Sequence, residues 1–376
     1  MWTRRQFVSR GALGLLGVSG VALALPGDNP KGTEGREALP DGSASKDMIT
    51  PRTDQAVERG LAFLNGTRRG RVLGSFGTGG YTGNVAVTSL AALAFMAAGN
   101  QPDRGPYGRI VLDALRYVLA QENQWPGGHP GFLHKPTDSP DHGPMYGHGF
   151  GTLFLAEVSG MVHDRVLREE LDAKLHRAVN LILVSQNSEG GWRYGPTPHD
   201  ADISVTICQI MALRAARNAG IAVPKSKVDK CVEYVKACQD GRFGYFRYQK
   251  QGGGDNQAFA RTAAGVVALY SAGIYKGPEV EAGLEYLRRN RPVGGPMNRF
   301  GILDIQYFYG HYYAIQAMWA AGGDYWKEWY PGVREEMLGR QLTDGSWSDG
   351  ICTHYATAMA CIILQVPNNY LPFLQK

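Results

Sequence analysis

Five stretches of this chain are apolar or small nearly all the way round a helix: Val85 to Ala98, Val205 to Ala216, Thr262 to Ala272, Tyr312 to Ala321 and Tyr355 to Leu364. A helix without a charged face has to be buried on every side, so these segments need a surrounding layer. The sequence between them supplies one. Val228, Cys231, Val232, Val235 and Cys238 recur at helical spacing with Lys, Asp and Glu between them. Val111, Leu112, Leu115, Val118 and Leu119 repeat that pattern, as do Val57, Gly60, Leu61 and Leu64. Gly99, Gly160, Gly220, Gly273 and Gly322 stand where apolar helices should stop, about 50–60 residues apart. Residues 51–376 accommodate six such units of about 54 residues. Six amphipathic helices outside and six apolar helices inside predict an all-α fold, an (α/α)6 toroid. An open solenoid would keep a polar face on its inner helices.

The amino terminus reads as an address. Thr3-Arg4-Arg5-Gln6-Phe7-Val8 is a twin-arginine pattern, followed by an apolar stretch from Gly11 to Ala24 that ends in Ala22-Leu23-Ala24. That stretch is too short for a comfortable membrane span and fits a cleaved signal. The expected organisation is therefore a signal peptide over 1–24, a flexible tether over 25–50 and a toroid over 51–376. Export by the twin-arginine route to an extracytoplasmic compartment is expected, without an integral membrane segment after processing. The formal charge of +5 includes Arg4, Arg5 and Arg10, and without them it falls to +2. Nucleic acid as a partner loses its electrostatic argument. Five cysteines with no CxxC spacing predict no essential disulfide.

Glycine- and aromatic-rich loops join outer to inner helices. They are Gln186-Asn187-Ser188-Glu189-Gly190-Gly191-Trp192-Arg193-Tyr194, Gln341-Leu342-Thr343-Asp344-Gly345-Ser346-Trp347, and the degenerate Gln239-Asp240-Gly241-Arg242-Phe243-Gly244-Tyr245-Phe246. In such a loop Gln can bond the open end of the outer helix, Gly allows the reversal, and Trp covers the joint between units. On these residues the chain resembles the prenyltransferase and squalene-cyclase superfamily, whose repeat is a Gln-x(n)-Gly-x-Trp motif on a helical hairpin. The segment from Gly143 to Phe150, taken as a loop, and the Asp202-x-Ser204-Val205-Thr206 opening are also similar to exported bacterial members with no assigned reaction.

The resemblance implies a central cavity and an isoprenoid or other apolar ligand. Asp200-Ala201-Asp202-Ile203 is similar to the DxDD motif of class II terpene cyclases, whose middle Asp protonates an alkene or epoxide. Matched residue by residue, Asp202 would be the acid and Asp200 its partner, while Ile203 replaces the last carboxylate. The bland alternative makes Asp202 or Ser204 the N-cap of the following helix. A protein-prenyltransferase reading would want Asp-x-Cys where Asp304-Ile305-Gln306 stands, with His354 as a further zinc ligand; Cys352 sits at a different spacing. His129, His134, His142 and His148 match no compact metal pattern, so no metal and no cofactor is expected. His148, Trp192, Tyr194, Tyr309, His311, Tyr312 and Trp347 are the candidate ligand-binding residues. Two further functions stay open. One is a non-catalytic ligand- or protein-binding scaffold; the other is a polysaccharide-active toroid enzyme with an open groove flanked by Arg193, Asp200 and aromatic residues.

Overall fold

In a computed structural model of the chain, the described residues are 45, 47–67, 72–122, 128–136, 143–251, 258–291 and 306–375. Two compact units divide the chain at Asp41. The first lies outside the described residues, as do the signal segment and nearly all of the tether. Within the second unit the described residues form twelve α-helices. The outer ones are α1 (Pro51–Gly66), α3 (Gly108–Leu119), α5 (Arg165–Ser185), α7 (Lys225–Ala237), α9 (Pro278–Arg289) and α11 (Gly323–Arg340). The inner ones are α2 (Val85–Ala97), α4 (Pro144–Val158), α6 (Ile203–Asn218), α8 (Ala258–Ser271), α10 (Tyr307–Ala321) and α12 (Thr353–Gln365). Each inner helix packs on the next, and α12 packs back on α2, so the inner ring is closed. The α/α toroid is the fold.

The unit boundaries follow local chemistry. Thr50 caps α1 through a reciprocal pair with Thr53, and Pro51 occupies the first turn, where its missing N–H costs nothing. At the far end of α6, Gly220 takes φ +98°, a left-handed conformation that stops the helix as expected. The segment from Gly143 to Phe150 departs from expectation. It forms the first two turns of α4, not a loop, because its glycines meet neighbouring inner helices. A Cβ at Gly149 would lie 2.8 Å from that of Cys208 on α6.

The joints between units repeat one hydrogen-bond scheme. The Gln186 amide donates to Gly190 O at 2.9 Å in its own loop and to Lys227 O at 2.9 Å on the next outer helix. Gln239 does the same to Gly244 O and Glu279 O, and Gln341 to Gly345 O and Ala56 O. The last of these closes the ring from the sixth unit onto the first. Gln thus clasps the following outer helix, not the end of its own. Each bond contributes roughly 1 kcal/mol, and the buried carbonyls would lose more if left unpaired.

The residue two after the loop glycine completes the joint. The backbone N–H groups of Phe76, Trp192, Phe246 and Trp347 donate to Thr88, Thr206, Thr262 and Thr357 on the inner helices, at 3.0–3.1 Å. The indole N–H groups of Trp192 and Trp347 donate to Ile182 O and Met337 O, both at 2.8 Å. All five cysteines are buried and free. At the opposite end of the ring the carboxy-terminal tail crosses between α10 and α6 through two 3-10 turns, burying Leu371, Phe373 and Leu374.

Gly190 shows why the loop position cannot take a side chain. Its φ is +100°, and a Cβ there would lie 2.1 Å from Lys230 O on the next outer helix. Gly190→Ala is therefore expected to lower stability by roughly 2–4 kcal/mol, through both strain and separation of two units. Gly241→Ala, in a loop position with open space around it, should change stability by no more than about 1 kcal/mol. Thermal unfolding of the two variants checks the contrast, and equal melting shifts would refute it.

Candidate functional site at the ring mouth

Because each outer-to-inner loop leads into the start of an inner helix, these loops gather at one end of the ring, and the site candidates sort by their place there. Asp202 is the N-cap of α6: its Oδ1 accepts from Val205 N–H at 2.9 Å, and it is fully buried. Only one of its oxygens serves the helix. Oδ2 has no hydrogen-bond partner among the described residues and faces Arg193 Nε at 3.5 Å. Burial pushes the carboxyl up to about 6, against the opposing pull of Val205 N–H, the Arg193 charge and the nearby Tyr248 hydroxyl. Asp200 is more than half exposed and pairs with Arg193 NH1 at 3.3 Å, so one guanidinium bridges the two aspartates.

Tyrosines surround this group. The Arg193 guanidinium lies over Tyr194 at 4.6 Å and over Tyr248 at 5.3 Å, and the two tyrosine hydroxyls are hydrogen-bonded to each other. Arg261 sits over Tyr248 at 5.0 Å. Tyr146, from the first turn of α4, packs against Tyr194. Burial, then the Asp202 charge, hold the Tyr146 hydroxyl well above its ordinary range. Tyr146, Tyr194 and Tyr248 all retain exposed surface. The mouth therefore offers half-exposed aromatic faces, an arginine and an exposed aspartate above a buried carboxylate.

Below the mouth the centre of the ring is filled at the level of α10. Tyr309 donates its hydroxyl to Ser204 O at 2.9 Å, Tyr313 reaches Cys208 Sγ at 3.4 Å, and Phe150 meets the ring of Tyr312 at 6.1 Å. These contacts run from α10 to α6 and to α4, which stands opposite α10. Tyr309 and Tyr313 pack edge to face, as do Tyr312 and Tyr313. The central cavity implied by the resemblance is bridged here by aromatic side chains.

Three other candidates, Trp192, Trp347 and His148, belong to the joints between units. Trp192 and Trp347 hold the scheme described above. His148 occupies in the second unit the register that Thr holds elsewhere: Nδ1 accepts from Leu133 N–H at 3.2 Å, and Nε2 donates to Ala178 O at 3.1 Å. Both nitrogens serve backbone, and burial brings the imidazole down to about 3, keeping it neutral. His311 stands at the same position of α10 but donates through Nδ1 to Tyr307 O of its own helix at 3.0 Å, and its buried Nε2 has no hydrogen-bond partner among the described residues; burial lowers it to about 4. His354 joins Gly77 N–H to the Thr67 hydroxyl. Of the histidine-rich segment, His142 lies outside the described residues. His129, His134 and His148 all stand against Phe132. Asp304 also lies outside the described residues. Among the described residues no group of three or more His, Cys, Asp or Glu could hold a metal.

Tyr146, Tyr248 and Asp349 were not singled out from the sequence. The usable signal is register, since Tyr194, Tyr248 and Asp349 each stand two residues after the buried aromatic of a joint.

No known protein family and no characterised protein matches the sequence. Solved structures do. A cellobiose 2-epimerase from Bacillus thermoamylovorans superposes with a TM-score of 0.58 at 12% identity, over 84% of this chain and 99% of that one. The type II terpene cyclase MstE from Scytonema, in complex with merosterolic acid A, gives 0.55 at 13%, over 86% and 98%. An α-1,6-mannanase of Salegentibacter, in complex with α-1,6-mannotriose, gives 0.55 at 9%, over 85% and 99%. The chain shares the α/α toroid fold of all three. At such identities the likeness establishes the fold alone.

Asp202 leaves a signature in the pH dependence of stability. Its folded value of about 6 lies above the ordinary carboxyl value of 3.8, so between those values the folded state holds more protons than the unfolded state. Its contribution is complete below about pH 4 and is lost as pH rises through about 6. The stability of the wild type relative to Asp202→Asn, whose side chain can still cap α6, should fall by up to about 3 kcal/mol over that window. Denaturant unfolding at pH 4 and pH 6.5 measures this. A constant difference would mean that Asp202 is not held up.

Proposed function

We propose that the protein is an exported toroid that binds a small ligand at the ring mouth, where Asp202 exchanges a proton with it. The observation that carries this reading is the second oxygen of Asp202. That oxygen is fully buried, makes no direct hydrogen bond among the described residues and rests on the Arg193 guanidinium at 3.5 Å, and its raised value suits proton transfer near neutral pH. The bridged centre favours a ligand at the mouth over one threaded deep into the ring. Export rests on the twin-arginine sequence, and amino-terminal sequencing of protein recovered outside the cytoplasm tests it.

Two ligand classes are supported, each by its own observation. Tyrosine faces around a carboxyl held towards its protonated form favour an isoprenoid or other apolar ligand, with Asp202 as acid and Asp200 steering it through Arg193. The terpene cyclase among the structural neighbours carries the same fold. The exposed Asp200, paired with the partly buried Arg193 beside the exposed Tyr194 and the partly buried Tyr146 and Tyr248, favours a glycan stacked on those rings. Calorimetric titration with geranylgeraniol and with cellotetraose, alongside mass spectrometry of lipids extracted from purified protein, separates them. Asp202→Asn and Tyr194→Ala should each weaken the true ligand about tenfold. Full affinity in both variants would refute the mouth as the site.

A further inference from the structure

The fourth joint carries two aromatic residues that its own construction does not use. Its clasp is built from Gln239, Gly244, Phe246 and Thr262. Phe243 and Tyr245 stand on either side of the loop glycine. At the first of these positions the other described joints hold Leu73, Pro130, Glu189 and Asp344. At the second they hold Ser75, Phe132, Gly191 and Ser346, all buried. Among the described joints only the fourth has a ring at both positions, and both rings reach the surface. Phe243 is 59% exposed and Tyr245 partly so.

The turn that carries them is tied down. Asp240 Oδ1 accepts from the Arg242 and Phe243 N–H groups, both at 3.0 Å, and the Asp240 N–H donates to Tyr245 O at 2.8 Å. Gly244 seats the tip on α9, where a Cβ would lie 2.7 Å from Ala282 O. The planes of Phe243 and Tyr245 lie 14° from parallel with centroids 6.3 Å apart, and Tyr245 leans on Tyr286 of α9 at 5.8 Å. Rings held this way lose little freedom when a ligand covers them. The charges nearby are paired with one another: Asp240 with Arg247 at 2.7 Å, Lys236 with Glu279 at 3.1 Å, and Glu285 with Arg289 at 2.6 Å. The Arg242 guanidinium lies over Phe243 at 5.0 Å and edges the rings with N–H donors.

We infer that Phe243 and Tyr245 form a stacking platform for a neutral polysaccharide, on the side of the loop that faces α9. No residue of the mouth takes part, so the platform stands whether or not the mouth holds a ligand. A pyranose ring presents a face of C–H groups about as large as an aromatic ring, with its hydroxyls at the edge. The electron-rich faces of Phe and Tyr attract those C–H groups. Size decides against other occupants. A stable protein interface buries about 800 Å² on each partner, whereas two aromatic side chains supply at most about 300–500 Å², part of it already covered. Insertion into lipid calls for a longer apolar face rimmed by basic residues, and here Asp240, Glu279 and Glu285 stand in the surround. The paired charges leave a charged ligand little to engage, which favours a neutral chain.

The test is depletion of the full chain from solution by particles of cellulose, chitin and mannan, using wild type, Phe243→Ala, Phe243→Tyr and Tyr194→Ala. Phe243 is exposed and outside the clasp, so its variants should melt with the wild type, and lost binding is then not lost fold. At least one polysaccharide should retain the wild type, with affinity about tenfold weaker in Phe243→Ala. Phe243→Tyr and Tyr194→Ala should bind as the wild type does. No retention on any of the three overturns the ligand class, and equal retention of wild type and Phe243→Ala overturns the platform. Retention weakened by Tyr194→Ala but not by Phe243→Ala places the polysaccharide at the mouth and removes this inference. Binding to phosphatidylcholine vesicles, or self-association in sedimentation, that is lost in Phe243→Ala with no polysaccharide retained gives the face to lipid or to a second copy, and overturns it as well.

Discussion

The ring depends on the contact between each loop glycine and the backbone of the next outer helix. At Gly74, Gly131, Gly190, Gly244 and Gly345 a Cβ would fall 2.0–2.7 Å from a carbonyl oxygen of that helix, or about as close to its carbon. Such an approach leaves the loop polar groups without water, so they have to be paired within the joint. The Gln amide and the Thr hydroxyl do this in the regular units. His148 does it in the second unit, where Leu133 stands in place of the aromatic. The contact between the sixth and first units uses the same parts, Gly345 against Arg59 O and Gln341 against Ala56 O. Closure is thus one more copy of the internal joint, and the ring has no special seam.

That scheme explains which sequence features could be read and which misled. Apolar helices, amphipathic helices and terminating glycines are periodic, and the toroid followed from them. The inner helices begin two to five residues earlier than the apolar runs in several units, because their first turns carry the polar residues that clamp the loops. The Gly143–Phe150 segment is helical against its own glycine content, since its glycines make room for Val85 and Cys208. Local propensity was overridden by packing between inner helices.

The candidate site was legible only in part, and for a physical reason. A buried Trp or His with a polar edge looks the same in sequence whether that edge meets a ligand or a backbone carbonyl. Trp192, Trp347 and His148 all meet carbonyls. Asp202 was open to two readings, cap and acid, and the geometry shows the cap on Oδ1 while Oδ2 faces Arg193 at 3.5 Å. What could not be read was the pairing of residues from separate units: Tyr194 with Tyr248 depends on how consecutive units stack, and Tyr309 with Ser204 on the curvature that brings α10 to α6.

The same geometry limits the chemistry available at Asp202. A strong acid for an alkene needs a protonated carboxyl, but Arg193 stands 3.5 Å from the relevant oxygen and favours its ionised form. Burial works the other way and wins only partly, which places the group near 6. Asp200 matters to this balance because it draws on the same guanidinium from the exposed side. A ligand that took over the interaction with Arg193 would weaken the hold of Arg193 on Asp202 and raise its proton affinity. Bound ligand and protonation would then favour each other by linkage. Arg193, which sits over Tyr194 and Tyr248 and touches both aspartates, is the part of the mouth through which occupancy can reach the buried carboxyl.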